Sequence, residues 1–152
     1  MGARDIDSLI SRIIHMMYGH NFQVTLGIDI FNGVTEPDFQ KAIKEKYPET
    51  HPDLHPLVAV EKQGLIENIK ECLNYRGDSA AGLILKKEEE VELNALQEQY
   101  INYLEGFMEV QAKCFYYPDT DGLPGYPVFW DYCYVLFADH ARIVLIYGSS
   151  SD

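Results

Sequence analysis

The chain has 152 residues, 47% of them hydrophobic and 24% charged, with a formal net charge of −12. That length and balance predict a single globular domain over residues 1–148 that buries a core without disulfide staples, followed by a frayed C-terminal tail at 149–152. The charge argues against nucleic acid and anionic membrane as partners, since both call for Lys and Arg, and no apolar run reaches the roughly 20 residues of a membrane helix.

The elements follow from periodicity. MGARDIDSLISRI lacks the uninterrupted apolar stretch of a secretory signal. Instead, Asp5 starts a helix with Ile6, Leu9, Ile10, Ile13 and Met17 on one face, ending at Gly19. In FQVTLGIDI, Phe22, Val24, Leu26, Ile28 and Ile30 alternate with Gln23, Thr25, Gly27 and Asp29, predicting a strand with one face to the core and one to water. Asn32-Gly33 makes a turn. Thr35 and Asp38 are spaced as a capping box, Val34 is placed to staple onto Phe39, and the helix that follows carries Phe39, Ile43 and Tyr47 until Pro48 stops it. HPDLHP is a rigid bend. Leu65, Ile66, Ile69, Cys72 and Leu73 mark another helix, ending near Gly77. The longest helix is expected from about Lys87 to about Glu109, with Leu93, Leu96, Tyr100, Tyr103, Leu104 and Phe107 in one stripe and Glu98, Glu105 and Glu109 opposite. Residues 110–117 read as a strand, and 128–137 with 142–147 as a C-terminal β-hairpin joined by 138–141. Both alternating sets of 128–137 are apolar except Asp131, so this strand is central. The class is α+β, with about four helices packed on an antiparallel sheet of three to five strands.

The acidity is regional. Residues 1–87 hold twelve acids and ten bases, whereas 88–152 hold twelve acids and only Lys113 and Arg142 as bases. From Glu88 to Ala112 there are seven glutamates and no basic residue. A soluble helix usually intersperses both signs and gains i,i+4 pairs; a one-signed face steers a basic partner, although a solvated outer face is the commoner reason for such a stripe.

The loop PDTDGLPGYP, 118–127, places Asp119 and Asp121 at the first and third positions of a calcium loop. The twelfth position is Trp130 rather than a bidentate Glu, so a bend shaped by Asp, Gly and Pro is the better account and no metal is expected. Nine of the nineteen aromatic residues lie between Phe115 and Phe137. Most are needed as core, but Tyr116, Tyr117 and Tyr126 flank the stiff loop, as interface anchors do. Asp131 interrupts the most apolar strand, where a carboxylate needs hydrogen bonds or a raised pKa; with Trp130 it is the candidate wall of a pocket.

Other signals are weaker. Gly77-Asp78-Ser79 with Asp139-His140 lacks the elbow and spacing of a hydrolase triad. His51 and His55 are separated by a helix-breaking Pro52. Cys72, Cys114 and Cys133 have no metal or redox spacing, which predicts buried free thiols in a reducing cytoplasm. No cofactor and no catalytic constellation is expected. The reading is a non-enzymatic, acidic cytoplasmic binding protein, monomer or homodimer, whose partner is a basic protein; a bacterial immunity or antitoxin-type inhibitor of a toxin is its concrete form. The partner-binding residues are Glu98, Glu105, Glu109, Asp119, Asp121, Tyr116, Tyr117 and Tyr126. The alternatives are a small enzyme or small-molecule binder with an aromatic pocket near the hairpin, and a homo-oligomer subunit.

Overall fold

In a computed structural model, residues 3–109, 112–138 and 141–152 are described. The elements in order are α1 (Ala3–Met16), β1 (Gln23–Asn32), a 3-10 turn (Glu36–Asp38) leading into α2 (Phe39–Lys46), β2 (Val58–Ala59), α3 (Lys62–Asn74), α4 (Lys87–Gly106), β3 (Lys113–Tyr116), β4 (Trp130–Ala138) and β5 (Arg142–Ser151). Four helices thus accompany a five-stranded sheet of order β1-β5-β4-β3-β2, antiparallel throughout, and the class is α+β as expected. Val110 and Gln111 of the expected strand, and the Asp139-His140 pair, lie outside the described residues.

The sheet is covered on both faces. On one, α1, α3 and α4 bury Ile6, Ile13, Met17, Leu65, Ile69, Leu73, Leu93, Tyr100 and Leu104 against Phe22, Val24, Leu26, Tyr132, Tyr134, Leu136, Val144 and Ile146. On the other, α2 and the 118–127 loop bury Phe39, Ile43 and Leu123 against Cys133, Val135, Ile143, Leu145 and Tyr147. This second layer corrects the expectation for β1. Its alternate side does not face water: Asp29 is buried and Phe31 packs into the smaller cluster, while Ile30 at the strand's end is 40% exposed.

The tail is also corrected. Ser149, Ser150 and Ser151 are buried and belong to β5, with Ser149 opposite both Thr25 and Asp131 and Ser150 opposite both Val24 and Trp130. Backbone ladders on both sides hold this segment whatever its side chains, and small residues are required there. A Cβ on Gly148 would lie 2.6 Å from the Tyr132 ring, and one on Gly27 would lie 2.0 Å from the Tyr147 ring on the opposite face. Each strand glycine therefore makes room for a buried tyrosine of the neighbouring strand.

Thr35 donates to the Asp38 carboxylate at 3.1 Å rather than to the helix backbone, so the expected capping box is replaced by a side-chain pair above the 3-10 turn. The α3 stripe is buried at all five expected positions. In α4 the buried positions are Leu93, Gln97, Tyr100, Ile101 and Leu104, a stripe turned toward α3 relative to expectation.

Candidate functional site

The carboxylates of α4 divide into two groups. Glu88, Glu89 and Glu90 occupy the first turn, where unpaired N–H groups and the helix dipole favour negative charge. Glu89 accepts from the Lys86 backbone N–H at 3.1 Å. Glu90 meets the Arg76 guanidinium at 2.9 Å, and Glu92 meets Arg12 of α1 at 3.1 Å. Arg76 also donates to the Leu73 carbonyl at the end of α3, which Gln97 of α4 reaches from its buried amide at 2.8 Å. Glu90 and Glu92 are thus neutralised by neighbouring elements, and their pairs help to hold α4 against α1 and the end of α3.

Glu98 and Glu105 differ. With Ile101 and Asn102 they form the 98, 101, 102, 105 face of α4, the spacing that puts four residues on one side of a helix. They line a groove of about 460 Å³ between α3 and α4, closed by Lys70, Leu73, Asn74, Asn94 and Gln97. Among the described residues neither takes part in an ion pair, since the pairs formed are Arg12–Glu92, Lys46–Asp29, Arg76–Glu90 and Lys113–Glu36. Lys70 shares the groove without closing on either carboxylate. The last turn of α4 carries no basic residue, so Glu105 stands near the negative end of the helix dipole, where a carboxylate is disfavoured. Glu109 is corrected: α4 stops at Gly106, the chain turns through Phe107 and Met108, and Glu109 leaves the stripe.

The other expected binding residues do not join this groove. Asp119 and Asp121 sit on the loop whose Leu123 enters the core cluster on the opposite face of the sheet, so the sheet separates them from α4. Asp119 accepts from the Asp121 backbone N–H at 3.0 Å, which makes it the shaper of a turn. Tyr117 is corrected from interface to core: it is 2% exposed, within the smaller cluster. Tyr116 packs its ring on Tyr134 at 5.9 Å and is partly exposed, and Tyr126 projects from the loop at 72% exposure.

The expected pocket near the hairpin does not form from its named residues. Asp131 is exposed and accepts from the Thr120 hydroxyl at 3.0 Å, and Trp130 stacks on Tyr132 at 5.9 Å. A cleft nearby, between Pro124, Gly125, Tyr132 and Tyr147, encloses only about 10 Å³, scarcely room for one water.

Among the described residues the buried carboxylate is instead Asp29. Lys46 Nζ lies 2.7 Å from one oxygen and the Tyr47 hydroxyl donates to the other. Tyr47 and Tyr147 hydroxyls are 3.2 Å apart. Burial, then the bond to Asp29, pushes the Tyr47 phenol far above its ordinary range. Its carboxylate, ammonium and hydroxyl groups are partnered with one another, so the cluster fastens α2 to the sheet. The apolar Phe31, two residues on and on the same side of β1, was the sequence signal that this side is covered.

Together these observations describe an α+β protein with a sheet between a three-helix layer and a thinner layer, and with a groove whose two glutamates form no ion pair among the described residues. No family model matches the chain and no curated protein matches it. Solved structures do. A crystal structure of citrus MAF1 in space group C 2 2 21 is similar with a TM-score of 0.57 at 12% identity, covering 94% of this chain and 98% of that chain. Citrus MAF1 in space group P 31 2 1 gives 0.49 at 11% identity with the same coverage. The likeness is one of fold.

Proposed function

We propose that the chain is a non-enzymatic, acidic, cytoplasmic binding protein that docks a basic protein partner through the α3–α4 face, as a monomer or homodimer. A small inhibitor of the immunity or antitoxin kind, engaging a cationic toxin, is the concrete form of this reading. The observation that supports it is the pairing pattern on one helix: Glu90 and Glu92 near the start of α4 hold arginines of the same chain, while Glu98 and Glu105 line a groove in which they form no ion pair with a described residue. The asparagines at its rim, Asn74, Asn94 and Asn102, supply donors and acceptors that fix register once a Lys or Arg side chain of the partner enters. Steering by the net charge raises the encounter rate, and the groove sets where contact is made.

The test compares two variants with equal change in charge. Affinity capture from the native host with Glu98→Gln/Glu105→Gln protein should lose the basic partner, and Asp119→Asn/Asp121→Asn protein should retain it. Equal retention by both variants, or equal loss, refutes the groove as the docking site.

A further inference from the structure

A second groove, of about 610 Å³, lies on the other flank of α4's last turns and is lined by Ile30, Gln99, Asn102, Tyr103, Gly106, Phe107 and Arg142. Its contents run opposite to those of the first. It has no carboxylate among its lining residues and one guanidinium. Arg142 at the start of β5 lies over the Phe107 ring, 5.3 Å from the centroid, and Phe107 is in turn held edge-on by Tyr103 at 5.1 Å. Of the three arginines whose side chains are described, Arg12 and Arg76 each hold a glutamate, and Arg142 forms no ion pair with a described residue. In a chain with 24 acids against 12 Lys and Arg, such a cation needs an explanation.

A purely structural one is available. A cation beside the last turn of α4 is favoured by the helix dipole, and stacking on Phe107 adds a modest cation–π attraction. That account leaves the groove unused. The Phe107 ring restrains the guanidinium beneath which it lies, and a guanidinium fork is what binds a carboxylate through two parallel hydrogen bonds. Ile30, 40% exposed, with Tyr103 and Phe107 gives apolar wall, and the Gln99 and Asn102 amides give orienting donors and acceptors. The volume is that of sites for small molecules.

We propose that this groove is a binding site for a small organic carboxylate with an apolar body, its carboxylate on Arg142 and its body against Ile30, Tyr103 and Phe107. The overall negative field of the protein opposes any anion, so recognition depends on the local fork, and the neutral amide of the same compound lacks the charge-assisted pair. The site adjoins the acidic groove, with which it shares Asn102.

The experiment is an amide-resolved NMR titration of the intact protein with hexanoate and phenylacetate, each alongside its primary amide. At least one acid should give saturable shifts at Ile30, Tyr103, Phe107 and Arg142, with its amide about tenfold weaker, the margin expected of a hydrogen bond to a charged group. Arg142→Gln should abolish the preference of acid over amide. No saturable shift with either acid below about 10 mM, or equal binding of acid and amide to the wild-type protein, overturns the proposal. The wild-type comparison keeps it falsifiable even where Arg142→Gln does not fold.

Discussion

The two ends of α4 are both acidic, but their charges meet different surroundings. At its start, three glutamates sit where the helix dipole favours them, and two cations from other elements close on Glu90 and Glu92. At its end, Glu105 sits where the dipole opposes it, and Glu98 faces the same groove without a cation in contact. An excess of negative charge in a sequence is therefore not one property. Part of it is consumed in holding the fold together, and only the remainder is available to a partner.

The largest expected effect concerns the anchor that both ends share. Tyr100, in the middle of α4, shares a hydrogen bond of 2.7 Å with Tyr132, and burial raises the pKa of both phenols. Burial likewise pushes the Cys72 thiol up to about 11. An unfolded chain releases thiol protons near pH ~8.5 and phenol protons near ~10, while the folded chain keeps them. From about pH 8.5 upward the unfolded state thus binds fewer protons, and stability falls as pH rises; well below that this contribution is fully present. Thermal melts at stepped pH should show a falling Tm above that point. A Tm constant to pH 11 would show that these groups are not protected.

Next comes Arg76→Ala, which removes the contacts to Glu90 and to the end of α3. It should cost about 2 kcal/mol in urea unfolding, since hydrogen bonds to charged groups contribute about 1.5–3 kcal/mol. A cost near zero would mean that the first group of acids is no better neutralised than the second. Glu105→Gln should act in the opposite direction, stabilising by about 0.5 kcal/mol as the unfavourable dipole contact is lost. A loss of stability instead would show that Glu105 has a structural partner. The smallest effect is Arg12→Gln. Its pair with Glu92 is half exposed on both sides, and such pairs contribute about 0.2–1 kcal/mol.

Much of this was legible from residue spacing. The α3 stripe, the doubly covered β4 and the helix-stopping Pro48 are local signals, and each predicted its element. What spacing did not show was what covers each side of β1, because that depends on where α2 returns. Asp29 was read as facing water for this reason, although Phe31 shares its side. Ser149–Ser151 carry no strand propensity and read as a tail; backbone pairing holds Ser149 and Ser150 between β1 and β4, and Ser151 against β1. Tyr117 and Asp131 exchanged roles because register near a strand end turns on where the ladder stops. In α4, the period placed Glu98 and Glu105 on one side but ran the helix on to Glu109, and no sequence pattern distinguished acids with an arginine across the fold from acids without one.

The central claim is that Glu98 and Glu105 are kept free for an external cation. Its most direct test is the affinity of a captured basic partner for wild-type and Glu98→Gln/Glu105→Gln protein, each measured at low and high salt. The account predicts that wild-type affinity falls steeply with salt, and that the variant binds weakly at both concentrations with a much flatter dependence. Identical salt dependence of the two proteins, at undiminished affinity, would contradict it.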